Sequence, residues 1–303
     1  MTTELTSPDL DTTSLRAARS TPAGRRGKKS VVGTVIKHIL LILVGILMIY
    51  PLLWMLVGSF KPNELIFLDP GLIPTEVTGE NYVNGWNGLT YPFGVYIFNS
   101  VVIVLGALIG NLVSCTMAAY AFARLRFRAK PVLFSAMLLT LMLPIHVLIV
   151  PQYIMFSQIG WINTFLPLIV PKFLAVDAFF VFLMVQFFRG IPKELEEAAR
   201  IDGAGYWRTF IQVMLPLTVP ALATTAIFTF IWTWNDFYTQ LVFLTKPETQ
   251  TVSVALRNFV DSTSQSNWGA LFAMSVVTLI PVFIIFLVGQ RFLVKGIATT
   301  GLK

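Results

Sequence analysis

The chain is short of the residues on which most soluble chemistry depends. One cysteine and two histidines occur among its 303 residues, so neither a disulfide framework nor a zinc set built on cysteine spacing can form. Cys115 sits inside an apolar run, His38 at the start of one and His146 just after Pro144 in another, positions that suit packing or an interface better than metal ligation. Charge is scarce as well: Asp, Glu, Lys and Arg make up 12% of the chain, against roughly 25% in an ordinary soluble domain. No G-x-x-x-x-G-K-[ST] loop, dinucleotide fingerprint or G-x-S-x-G elbow is present. These absences exclude a phosphate-cradling nucleotide site and give no support to an enzyme. No catalytic residue, metal ligand or resident cofactor is assigned.

What is abundant is apolar surface. Hydrophobic residues supply 55% of the chain, with a mean hydropathy of +0.74, and an excess of that size needs lipid to bury it. Windows of roughly 20 apolar residues, long enough to cross a hydrocarbon core, fall at about Ile39–Phe60, Ile97–Phe122, Val132–Phe156, Phe165–Phe188, Leu217–Leu244 and Ala270–Leu293. The expected fold is therefore an all-α integral membrane protein with six transmembrane helices. The fourth window is awkward, because Lys172 and Asp177 lie inside it and the uncharged remainder from Ala178 is short for a full crossing. Part of it is expected to dip in at the outer interface.

The cations orient the chain. Of its 22 Lys and Arg, 18 fall on one side if the N-terminus is inside, seven of them between Arg16 and Lys37. The other side holds only Lys61, Lys246 and Arg257, so the positive-inside rule puts both termini in the cytoplasm of a multi-pass cell-membrane protein. Residues 1–35 read as a basic, disordered cytoplasmic arm, too long to be the leading part of a cleaved signal peptide, and residues 36–303 as the membrane domain. The net charge of +7 is explained by anionic headgroups rather than nucleic acid, since the cations flank membrane spans.

Between the fourth and fifth windows, residues 189–216 interrupt the lipid-soluble pattern with RGIPKELEEAARIDGAGYWRTFIQVMLP. Pro192 suits a first helical turn, Glu194, Glu196 and Glu197 complement the positive end of the helix dipole, and Gly203 with Gly205 can end it. After the glycines, Tyr206, Trp207, Phe210, Ile211 and Met214 recur at helical spacing, predicting a second helix docked under the bundle. Ala198 and Ala199 would let another surface approach the first helix closely, with Glu197, Arg200 and Asp202 as charges at the rim. From the residues alone, two readings stay open: a knob for a partner's socket, or an amphipathic helix that merely closes a loop.

Glu197-Ala198-Ala199, Asp202-Gly203-Ala204 and Leu215-Pro216 resemble the EAA loop signature of permease subunits of ATP-binding-cassette importers. The form PKELEEAARIDGA resembles the carbohydrate-importing, maltose-transporter type. The likeness extends over NSVVIVLGALIGNLVSCTMAAYAFARLRFR at Asn99–Arg128 and QRFLVKGIATTGLK at Gln290–Lys303, and leaves out only the first 30 or so residues. The resemblance implies a second permease subunit, two ABC ATPase subunits that bind the ATP, and an extracytoplasmic solute-binding protein delivering a carbohydrate. It also implies that the helix at Glu197, Ala198, Ala199, Asp202, Gly203 and Ala204, with Leu215 and Pro216 at its return, fits a cleft in one ATPase as a cytoplasmic coupling element, and that the tail near Gly301 approaches the ATPases.

Candidates for the substrate path come from the fifth window, where Thr225, Thr229, Trp232, Asp236 and Thr239 recur at steps of four and three and are expected to share a face. An Asp in a membrane span faces a watery cavity or a partner by default, and aromatics beside amides suit sugar rings. Trp232, Trp234, Asn235 and Asp236 are the candidates; the competing reading makes the tryptophans interface aromatics and pairs Asp236 with a neighbouring helix. In the second window a small residue every four positions, Gly106, Gly110, Ser114 and Ala118, suits close helix packing, and Asn111 could bond across it. Three further readings remain: a self-sufficient secondary transporter, for which no inverted repeat is found; a scaffold whose helix recruits a soluble partner; and an importer of glycerol phosphate or a polyol.

Overall fold

The computed structural model describes residues 31–260 and 266–300; most of the basic arm and the position Gly301 lie outside them. Among the described residues every regular element is helical. The chain divides into two compact units, one ending at Pro51 and one beginning at Leu52. The first contains most of α1 (Val31–Gly58), whose apolar side chains, Leu41 and Met48 among them, are exposed. A helix is the form in which such a run satisfies every backbone amide internally, as lipid requires.

In the second unit, the helices from α2 onward position the rest. α2 (Phe93–Arg124) is unbroken over 32 residues. Its side chains sort by face: Asn99, Ile103, Ala107, Asn111 and Cys115 are buried, whereas Val101, Leu105, Ile109 and Val113 are exposed at steps of four, as a helix with one protein face and one lipid face requires. The expected third span is not one rod. α3 (Lys130–Thr140) and α4 (Ile145–Gln158) meet at 102°, because Pro144 is extended, with ψ 130°, and proline disfavours helical backbone in the residue before it.

The fourth span is broken where the sequence made it awkward. A short turn at Leu166–Ile169 and a 3₁₀ turn at Val170–Leu174 lead to Ala175 in the left-handed region, φ 54°, before α5 (Ala178–Gly190) resumes. A non-glycine residue there costs about 1 kcal/mol and persists only where its surroundings hold it. α6 (Glu194–Ile201) follows. The helical stretch Tyr206–Leu217 then bends by 75° into α7 (Val219–Asn235).

The expected fifth span, Leu217–Leu244, also ends early. The chain turns at Asp236, ψ 108°, whose Oδ1 accepts the Thr239 amide at 3.1 Å, and a short helix Tyr238–Phe243 begins. Asp236 and Thr239 therefore leave the face they were expected to share with Thr225, Thr229 and Trp232. The long α8 (Trp268–Thr300) closes the chain. Among the described residues, four helical stretches are long and apolar enough to cross a membrane, Leu166–Gly190 counted as one across its break, and up to six if each bent pair is one span.

Two of the apolar cores matter for the site. One gathers Cys115, Ala119 and Tyr120 of α2 with Phe180, Met184 and Phe188 of α5 and with Phe210 and Met214. The other joins Phe93 and Tyr96 to Trp234, Val252 and the start of α8, at Ala270, Ala273 and Met274. The first core docks the second loop helix through Phe210 and Met214 alone; Tyr206, Trp207 and Ile211, expected on the same face, stay exposed.

Candidate functional site

The acidic, alanine-containing segment forms α6 with the predicted punctuation. Its C-terminus is closed by Gly203 in the left-handed region, φ 79°, where a glycine carries no steric penalty. The Gly203 amide donates to Arg200 O at 3.0 Å and the Ala204 amide to Ala199 O at 2.9 Å. This pair of bonds satisfies carbonyls that the helix end would otherwise leave bare.

What fastens α6 is an ion pair that the sequence reading did not single out. Glu196, not Glu197, is buried, and its carboxylate meets Arg124 Nε at 2.9 Å, the two side chains being 8% and 4% exposed. Arg124 Nη2 also donates to Phe188 O at 2.6 Å and to Ile191 O. One guanidinium at the end of α2 thus ties together the end of α5, the linker and α6. Such a pair brings little net stability over an apolar one, but removing one partner strands a buried charge. Arg is suited to the task because its planar fork serves several acceptors at once.

The two sides of α6 differ. Lys193, Glu196, Glu197 and Arg200, at helical spacing, face a cavity of about 980 Å³. Leu195, Ala198, Ile201 and Asp202 occupy the opposite side and are exposed, Ile201 at 86%. Glu197 and Ala198 are exposed and Ala199 is half-buried, while Leu215 is half-buried and Pro216 exposed at the return.

A second polar group lies inside the fourth span, at its break. Lys172 Nζ donates to Asp177 Oδ2 at 2.8 Å and to Oδ1 at 3.1 Å. Asn111 Nδ2 of α2 donates to the same carboxylate at 2.6 Å and lies 3.3 Å from Thr229 Oγ1 of α7. Ser114 Oγ donates to Lys172 O at 2.6 Å. Three spans are thereby joined, and the expectation that Asn111 bonds across the small-residue face is met. Close approach is what the small residues permit: a Cβ added at Gly110 would lie 2.8 Å from Lys172 Cβ.

The four path candidates separate. Trp234 is buried, stacks on Phe230 and donates from Nε1 to Thr278 O at 3.2 Å. Asp236 serves the turn described above. Trp232 is 48% exposed, with its ring 5.1 Å from those of Phe179 and Phe180, and Asn235 beyond it is exposed. Outside the spans, Lys61, a cation on the expected outer side, is buried at 2% and donates to Gly71 O at 2.7 Å and to Asp69 O, 3.5 Å from the Asp69 carboxylate. The Thr75 amide, and behind it the Lys61 charge, hold the Asp69 carboxyl below its ordinary range. No spacing rule marks such a staple.

Residues 110–299 match the family model described as binding-protein-dependent transport system inner membrane component. The chain is 37% identical over 257 residues, 84% of each chain, to the diacetylchitobiose uptake system permease protein NgcG of Streptomyces coelicolor. It is 33% identical, over 89% of this chain and 98% of the relative, to the trehalose/maltose transport system permease protein MalG of Thermococcus litoralis. Over 86% of this chain and 94% of the relative, it is 31% identical to the sn-glycerol-3-phosphate transport system permease protein UgpE of Yersinia enterocolitica. Its fold superposes with a TM-score of 0.77 and 22% identity, over 88% of this chain and 98% of the other, on a chain of a bacterial ABC transporter involved in the import of the acidic polysaccharide alginate.

Proposed function

The chain belongs to the family of binding-protein-dependent transport system inner membrane components, and from that premise we propose that it is the permease subunit of an ATP-driven sugar importer, with α6 as its coupling helix. The observation that carries the proposal is the mounting of α6. One face is locked to the spans through Arg124 and Glu196, while Leu195, Ala198, Ile201 and Asp202 on the other are left uncovered. A rigidly mounted rod with a free, uncovered face is suited to transmit motion; a rod that merely closes a loop needs no buried ion pair.

In this reading the termini and α6 are cytoplasmic, which the distribution of cations supports. A second permease subunit completes the path, two ATPase subunits bind ATP below it, and an extracytoplasmic binding protein delivers the solute. Closure of the ATPases moves α6 as a rigid body, with Glu197, Ala198, Ala199, Asp202, Gly203 and Ala204 in the ATPase cleft and Leu215 and Pro216 at the hinge back to α7. The pull reaches α5 and α2 through Arg124. Trp232 and Asn235 offer an aromatic face and an amide to the path; Trp234 and Asp236 support the helix that presents them. A carbohydrate is favoured over glycerol phosphate, since the two relatives of higher identity carry sugar names.

The test is uptake by the full complex in vesicles. Transport should stop when the ATPase's nucleotide site is inactivated and continue when an ionophore abolishes the proton gradient. Gly203→Pro should abolish uptake with the chain still in the membrane, since proline cannot adopt the φ of 79° found there. Uptake that survives an inactive ATPase sinks the proposal.

A further inference from the structure

The cavity beneath α6 has a composition that the coupling role does not explain. Its wall contains five cations, Arg124, Arg126, Lys130, Lys193 and Arg200, against two carboxylates, Glu196 and Glu197. Among the described residues, only the Arg124–Glu196 pair neutralises any of them. Arg200 lies over the Tyr206 ring at 5.3 Å, and Lys130 donates to Leu125 O at 3.1 Å. A wall with three more cations than anions, closed in by Tyr206, Trp207 and Phe127, combines positive charge with the amphipathic rings that settle at headgroup level.

A second observation is independent of the charge. Tyr120 also forms part of this wall and is 6% exposed, yet its buried hydroxyl has no hydrogen-bond partner among the described residues. A phenol in that situation is a donor lacking an acceptor. The chemistry that answers both features is an oxyanion.

We propose that the cavity between α6 and the end of α2 is a binding site for a phosphate-bearing anion, held by Arg126 and Lys193 with the Tyr120 hydroxyl as donor. The two sources are the headgroup of an acidic phospholipid and a soluble phosphate. Because the cavity lies between α6 and its mount, an occupant neutralises the like charges on both sides and stiffens the seating of the helix. The leaflet that supplies a lipid follows from the orientation proposed above; the site itself does not depend on it.

The experiment uses the full chain in nanodiscs, as wild type, as the Arg126→Gln/Lys193→Gln variant, as Tyr120→Phe, and as a control with Lys246→Gln and Arg257→Gln at the opposite end. Lipid retention is read by native mass spectrometry and helix seating by hydrogen exchange over residues 193–209. Phosphatidylglycerol should be retained over phosphatidylcholine and lower exchange in the wild type. The two-cation variant should weaken that retention about thirtyfold, the product of roughly fivefold for each cation near the surface, and Tyr120→Phe should weaken it several-fold while leaving phosphatidylcholine unchanged. Protection by inorganic phosphate in pure phosphatidylcholine discs, lost in the same variants, upholds the site and identifies the soluble anion as its source. Equal retention of the two lipids with no protection by phosphate, or retention that the control alters as much as the two-cation variant does, overturns it. Failure here leaves the ATPase-driven uptake test untouched, so the two proposals fall separately.

Discussion

Two ion pairs sit at junctions between this molecule's helices, and they are built on opposite plans. Arg124–Glu196 and Lys172–Asp177 have nearly the same separation, 2.9 and 2.8 Å. The first is sealed, at 4% and 8% exposure, where three chain segments meet; the second is 27% and 25% exposed, at a helix break inside a span. Burial raises the cost of stranding either charge and removes water as an alternative partner. The sealed pair therefore works as a fixed joint. The open pair leaves its two charges partly accessible at the break, next to the buried Asn111 and Thr229, as polar groups beside a path would be under the function proposed above.

The comparison breaks first at Arg124. Arg124→Met strands Glu196 and leaves Phe188 O and Ile191 O without their donor, a loss of about 3–5 kcal/mol for a broken buried pair. Thermal unfolding of the purified chain should fall well below that of the wild type, and uptake with it. The joined replacement Arg124→Met/Glu196→Leu should recover most of the stability, to within roughly 1–2 kcal/mol, and a measurable part of the uptake, because a joint needs only to be tight.

Lys172→Met should cost somewhat less, roughly 2–3 kcal/mol on insertion scales for an unpaired Asp in a span, since Asn111 still donates to Asp177. Here the joined replacement Lys172→Met/Asp177→Leu should restore stability without restoring uptake. Recovery of full transport by that variant would reduce the open pair to a second fixed joint and erase the distinction. Next is Gly110→Val, whose Cβ would press on Lys172 Cβ and on the Lys172 carbonyl carbon, 2.8 and 2.9 Å away. An overpacked contact of that kind costs about 1–3 kcal/mol, and should lower the unfolding temperature and disturb the Lys172–Asp177 geometry together.

The parts legible in the sequence were those carried by local pattern. Six apolar windows announce spans because burial in lipid depends on length and composition alone, and α6 announces itself because caps, dipole charges and stop glycines lie within one segment. The break in the fourth span was visible as Lys172 and Asp177, but not the reason it holds: Asn111 lies 66 residues away from Asp177. The choice of Glu196 over Glu197 as the buried acid depends on where Arg124 stands, which no periodicity in the loop records. The fifth window failed differently. Apolar composition continues past Asn235, so hydropathy shows one span, whereas the helix ends where the Asp236 carboxylate meets the Thr239 amide.

The smallest effects separate the two tryptophans that composition could not tell apart. Trp234→Phe keeps a ring that can stack on Phe230 but removes the donor to Thr278 O. With an aromatic still filling the site, the change should cost about 1 kcal/mol, the net worth of one hydrogen bond, and lower the unfolding temperature by a few degrees with uptake at moderate temperature unaltered. Trp232→Ala strips a half-exposed ring that touches Phe179, Phe180 and Phe228. Its stability loss should be similar, about 1 kcal/mol, yet the substrate concentration needed for half-maximal uptake should rise. The two variants then match in stability and part in transport, as expected if the open region around Lys172 and Asp177 borders the path and the core around Trp234 only supports it. If both leave uptake unchanged, the path runs past a different face of α7 and the open ion pair loses its assigned neighbour.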